Sequence, residues 1–116
     1  MKKVVEKKEE KGLRYNLDKP QWSLVDFKSF EGMVRVLEHG TKKYSRNNWK
    51  QGLSVVQTSE SLLRHVFAFL NGENIDLESG LSHVSHIQCN AMFLDYILRE
   101  KKEFDDRDIN NIKKGK

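Results

Sequence analysis

The sequence has 116 residues, with 21 Lys and Arg against 17 Asp and Glu for a formal net charge of +4, and 37% hydrophobic and 33% charged residues. This bounds it to one small domain of the soluble helical kind with a modest core, for which subunit association is a natural way to gain burial. Cys89 stands alone, which excludes an internal disulfide framework and suits a reducing compartment.

No apolar run approaches the ~20 residues that span a bilayer, and the N-terminus lacks the apolar stretch of a signal peptide, so no membrane partner and a cytoplasmic location are expected. The positive charge sits at the two ends, in MKKVVEKKEEK and REKKEFDDRDINNIKKGK, where acids accompany it. These read as solvated tails over residues 1–11 and 99–116, flanking one helical domain over 12–98. A nucleic-acid arm is the competing reading, but no basic helix lies between the tails, which argues against a nucleic-acid partner.

Residues 12–21, GLRYNLDKPQ, hold the one proline and read as an extended approach. Ser23-x-x-Asp26 has the form of a capping box. Phe27, Phe30, Val34 and Leu37 follow at helical spacing, with Met33 beside them, and predict a first helix over 24–39 stopped by Gly40. Its charged stripe of Glu31, Arg35, Glu38 and Lys42 suits an exposed face laced by ion pairs. Glu38 closes the helix just before a distinctive loop, a position that also suits a functional role.

That loop, GTKKYSRNNWKQG over 40–52, mixes Lys42, Lys43, Arg46 and Lys50 with Tyr44 and Trp49. Cations beside aromatic rings suit a nucleotide, whose base can stack and whose phosphates can pair. Equally, Tyr44 and Trp49 can pin the loop to the core while the lysines face a ligand.

A second helix is predicted over 55–71, with Leu62, Val66, Phe69 and Leu70 as its apolar stripe and Leu63 and Phe67 widening it. His65 falls on the buried side, where a satisfied core histidine is the ordinary outcome; Arg64 faces elsewhere, within i,i+4 reach of Glu60. Asn71-Gly72 stops this helix. Glu73, Asp76 and Glu78 then occupy a turn and the start of a third helix, predicted over 78–98. Acids there complement a helix dipole, Asp76 as a cap, but three carboxylates so close also make a hard-cation site.

The third helix carries two stripes. Val84, Ile87, Ala91, Leu94 and Leu98 form one; His83, His86, Asn90, Phe93 and Ile97 form the other, polar only in its N-terminal half. A helix buried on two sides with its polar groups at one end predicts a bundle with a polar pocket at that end. His83 and His86 there can ligate a metal, activate water or bind phosphate.

Taken together, GLRYNLDKP, HGTKKYSRNNW and RHVFAFLNGENIDLESGLSHVSHIQCNAMFL resemble the phage and bacterial family called dATP/dGTP diphosphohydrolase, N-terminal domain, which is similar to the all-α nucleotide pyrophosphohydrolases of the MazG type. The resemblance runs from about Gly12 to Leu94. It implies an all-α, MazG-like bundle of three main helices, a homo-oligomer, and Mg²⁺-dependent (or Mn²⁺-dependent) cleavage of a purine deoxynucleoside triphosphate to monophosphate and pyrophosphate. On this chain it implies Glu38, Glu73, Asp76 and Glu78 as metal ligands, and His83, His86 and Arg64 as catalytic groups at water or phosphate. Lys43, Asn48, Trp49, His65 and Asn90 are then the nucleotide contacts. The paired acid-x-x-acid motifs of MazG-type enzymes have one counterpart in spacing, Glu73-x-x-Asp76, which lies after a glycine stop. A non-catalytic nucleotide-binding protein of the same fold is therefore the alternative.

Overall fold

The computed structural model describes residues 11–15 and 17–108. Most of the expected N-terminal tail and the end of the expected C-terminal one lie outside them. Three α-helices occur among the described residues: α1 (Glu31–Gly40), α2 (Val55–Leu70) and α3 (His83–Glu100). Short 3₁₀ turns at Trp22–Leu24, Phe27–Phe30, Asn48–Gln51 and Lys102–Phe104 connect and flank them. No strand occurs among the described residues, and the all-α expectation holds. No helix among them is long and apolar enough to cross a membrane.

The first helix begins seven residues later than its apolar spacing predicts. Val25 and Asp26 are extended, so the chain makes two separate 3₁₀ turns before α1. The expected Ser23–Asp26 capping box does not form; the Asp26 carboxylate accepts from the Ser29 hydroxyl instead. At the other end Gly40 is the last helical residue, and Thr41 closes α1 by donating its hydroxyl to the Glu38 carbonyl at 2.6 Å.

Helix α2 is close to its predicted span because both ends are specified. The Ser54 hydroxyl accepts from the Gln57 amide at 3.1 Å, an N-cap that satisfies one of the orphan donors of the first turn. Gly72 takes the left-handed conformation (φ +94°) after Asn71, so the Glu73 amide reaches the Ala68 carbonyl and the Gly72 amide the Phe69 carbonyl, each at 3.0 Å. This pattern is a Schellman stop, and glycine is the residue that adopts it without a Cβ penalty.

The third helix starts at His83 rather than at residue 78. The acids that look like its first turn belong to a separate loop, in which Ile75 and Ser82 form an isolated antiparallel bridge. Within it the Asp76 amide donates to the Leu81 carbonyl at 2.8 Å and the Gly80 amide to the Asp76 carbonyl at 2.7 Å. Gly80 supplies a second left-handed residue (φ +74°), and Ser82 caps α3 by accepting from the Ser85 amide at 3.0 Å.

Helices α2 and α3 pack most extensively on each other, with α1 across α3. Gly32 of α1 lies against the buried Ser85 of α3, so close that a Cβ at residue 32 would stand 1.9 Å from the Ser85 Oγ. Val55, Cys89 and Ile97 form the fully buried apolar core. Trp49 closes it at one end, its ring 4.9 Å from Phe93 and 5.1 Å from Tyr96.

The segment after α3, expected to be tail, folds back over residues 101–108. Phe104 lies on Gly52 (φ +119°), and the Asp106 carboxylate accepts from the Ser54 hydroxyl and, at 2.9 Å, from the Val56 amide. It therefore caps α2 from 50 residues away.

Candidate functional site

The polar end predicted for α3 exists, and the loop before it supplies the partners. His83 is buried, 3% exposed, at the first position of α3. Its Nε2 lies 2.6 Å from Glu73 Oε1 and its Nδ1 lies 2.8 Å from Nδ1 of His65 on α2. One turn along, His86 stacks flat on His65, with centroids 4.3 Å apart and planes 4° from parallel. The His86 Nε2 meets the Ser79 hydroxyl at 2.7 Å and stands 3.6 Å from the Asp76 carboxylate. Three imidazoles and two carboxylates thus converge where α2 faces the start of α3.

The electrostatics follow from this crowding. Burial, followed by the neighbouring His86, pushes the His65 imidazole below its ordinary value of 6.5, with Asp76 acting the other way. Burial does the same to His86; His83 and His39 add to it, while Asp76 and Glu78 oppose it. Both rings are therefore neutral at pH 7, each with a lone pair to offer, and the Asp76–His86 contact is a carboxylate beside a neutral ring rather than an ion pair. For Asp76, burial raises the carboxyl, but hydrogen bonding by the Ser79 side chain and amide, with His86 and His65 nearby, holds it below its ordinary value. It is a carboxylate at neutral pH.

The remaining sequence-predicted residues scatter around this centre. Asn90, one turn beyond His86, donates to the Ser61 hydroxyl at 3.3 Å across the α2–α3 interface. Lys43 reaches from its loop to Glu78, at 3.7 Å, beside the turn that holds Asp76 and Ser79. Arg64 is exposed and lines a shallow groove with Glu60, Leu63 and Phe67. Glu38 pairs with Arg35 at 2.9 Å on the exposed face of α1. Trp49, with Asn48 beside it, packs at Phe93, seven residues and so about 10 Å of helix rise beyond His86. Its faces are taken up by Phe93, Tyr96 and the Lys50 ammonium at 5.4 Å.

Two participants carry no signal in the sequence. Ser79 bonds His86 and the Asp76 carboxylate together, its amide donating to Asp76 at 3.0 Å. His39, in the last turn of α1, is near enough to act on the charge of His86. Ser79 lies in a loop rather than on a helix, and His39 lies on α1, far from His86 in sequence.

The family model described as dATP/dGTP diphosphohydrolase, N-terminal, matches residues 9–107, most of the chain. The chain belongs to this family. It is 34% identical over 96 residues to a protein of Salmonella phage PMBT28 named dATP/dGTP diphosphohydrolase. That match covers 83% of this chain and 33% of the relative, so the chain spans about a third of the relative's length. No solved structure matches the chain.

The Mg²⁺ ligand set implied by family resemblance does not assemble in this geometry. Glu38 pairs with Arg35 and Glu78 with Lys43 on the exposed surface, so Glu73, on His83, and Asp76 are the two carboxylates at the centre. Among the described residues, the side chains whose ligand atoms do gather, all within 4.8 Å of one another, are His65, Asp76 and His83. Two nitrogens and one oxygen are not the all-oxygen surroundings that Mg²⁺ takes.

Proposed function

We propose that the chain hydrolyses a purine deoxynucleoside triphosphate to the monophosphate and pyrophosphate. Water adds to the α-phosphorus, the bridging bond from that phosphorus to the β-phosphate oxygen breaks, and pyrophosphate leaves with the electron pair. The observation that carries this reading is the convergence of His65, His83 and His86 with Asp76 in a chain of this family. In it, the Ser79 hydroxyl at 2.7 Å passes a proton of the attacking water to Nε2 of His86, which a neutral ring can accept at working pH. Lys43 and Arg64 meet the triphosphate charge, and Asn90 serves the sugar or base.

A second copy of the chain belongs to this reading. Few apolar side chains are buried in one copy, while Phe67 and Leu70 on α2 remain 60% and 72% exposed. The protein then works as a homo-oligomer in the cytoplasm, that of the host where a phage encodes it.

One observation favours a non-catalytic nucleotide binder instead: Glu38 and Glu78 pair with Arg35 and Lys43 on the surface and do not join Glu73 and Asp76 at the centre. Pyrophosphate release from each of the four dNTPs, with Mg²⁺ or Mn²⁺, separates the readings. Release from dATP or dGTP that His86→Gln abolishes, with helix content kept, is the expected result. No release together with a nucleotide-induced rise in Tm selects the binder. Neither release nor a rise in Tm ends both.

A further inference from the structure

We infer that His65, His83 and Asp76 form a binding site for one divalent first-row transition metal ion, of the Mn²⁺ to Zn²⁺ series. The inference does not depend on hydrolysis of any nucleotide. It begins with the two Nδ1 atoms of His65 and His83, which face each other at 2.8 Å. Where the His83 Nε2 donates to the Glu73 oxygen at 2.6 Å, the Nδ1 of the same ring presents a lone pair. The His65 Nδ1 aims at that lone pair, so one proton must lie between the two nitrogens. A metal ion in its place takes a lone pair from each ring, and the displaced proton moves to Nε2 of His65 or to water.

The distances suit this exchange. Two nitrogens bound at about 2.1 Å to one ion stand roughly 3.0–3.4 Å apart, from cis-octahedral to tetrahedral angles. The rings need to open by a few tenths of an ångström and to turn until both lone pairs meet at a point off the line between the two nitrogens. The third ligand atom, on Asp76, lies no more than 4.8 Å from the other two.

The surroundings fix the positions of the two imidazoles. Glu73 on the Nε2 of His83 is the outer carboxylate that fixes a ligand histidine's tautomer and raises its basicity. His86, tied to Ser79, lies flat against His65 and keeps that ring in plane. Two imidazoles and one carboxylate are a donor set for Mn²⁺, Fe²⁺, Co²⁺ or Zn²⁺, and they leave positions open for water or a phosphate oxygen.

Co²⁺ is the probe, because its visible d–d bands report nitrogen ligation without reference to activity. The chelator-stripped protein should bind one Co²⁺ per chain with such bands, Zn²⁺ should displace it, and a hundredfold excess of Mg²⁺ should not. His65→Gln and His83→Gln should each abolish the bands, and Glu73→Gln should weaken binding by about 10–100-fold. Because His83 is buried and its variant is the one at risk of misfolding, His65→Gln and Glu73→Gln with unchanged far-UV circular dichroism suffice for the test. Absence of Co²⁺ bands in the folded wild type, displacement by Mg²⁺, or bands that survive His65→Gln would overturn the assignment. None of these results depends on pyrophosphate release, so failure here is distinguishable from failure of the hydrolase reading.

Discussion

Asp106 caps α2 from the far end of the chain, its carboxylate accepting from the hydroxyl of Ser54 and the amide of Val56. Ser54 is itself the N-cap, so the two residues satisfy neighbouring orphan donors of the same helix. The Ser54 hydroxyl first, and the Val56 amide second, hold the Asp106 carboxyl below its ordinary value of 3.8. A carboxyl depressed in the folded state adds stability that is present above its unfolded pKa and is lost as pH falls through its folded one. Thermal unfolding of wild type and Asp106→Asn should therefore differ by a constant Tm gap above about pH 5, closing as pH drops below about 4. A gap independent of pH would mean the cap works without its charge.

Gly32 offers a sign test of the α1–α3 contact. Replacing a glycine inside a helix by alanine ordinarily stabilises by about 0.5–1 kcal/mol. Here the new methyl would meet the Ser85 Oγ at 1.9 Å and its Cβ at 3.0 Å, and the Ser85 hydroxyl is engaged with Ser82 at 2.8 Å. Gly32→Ala should thus destabilise by about 1–3 kcal/mol, as overpacked sites do. Denaturant unfolding measures it. A gain in stability would show that the helices separate at no cost.

What the sequence made legible was periodic, and what it hid was not. Leu62 and Val66 recur at helical spacing, and Asn71-Gly72 ends the run, so α2 was found nearly to the residue. The start of α3 is not legible because Glu73, Asp76 and Glu78 look like a dipole-matched first turn, whereas Gly80 and Ser82 delay the helix to His83. The spacing puts His65 on the inward side, but its partner lies 18 residues away, a pairing that no local pattern encodes. Ser79 and Asp106 act through loop and long-range contacts that no local pattern encodes. Trp49 allowed two readings, and its packing on Phe93 and Tyr96 gives it a core role.

Cys89 supplies a measurement of core integrity. It is 2% exposed, unpaired, and burial pushes its thiol up to about 11. The nucleophile toward thiol reagents is the thiolate, which this environment both disfavours and shields. Native protein at pH 8 should resist labelling, and full reaction of one thiol should appear only with denaturant. Rapid labelling of the native chain would show that α3 opens readily from α2.

The α2 surface tests self-association. Leu63, Phe67 and Leu70 lie at i, i+4 and i+7 on one helix face and are 48%, 60% and 72% exposed. Large apolar side chains aligned in this way mark a surface that is covered in use. We expect wild type to sediment as an oligomer at micromolar concentration, and Phe67→Glu to shift it to monomer by placing a charge where the face closes. Because Phe67 is exposed in the single chain, this variant should keep the far-UV circular dichroism of wild type. A monomeric wild type, or an oligomer indifferent to Phe67→Glu, would remove α2 from the interface. Loss of helix content in the variant would instead show that the three helices do not stand without the partner copy, which makes association part of the fold.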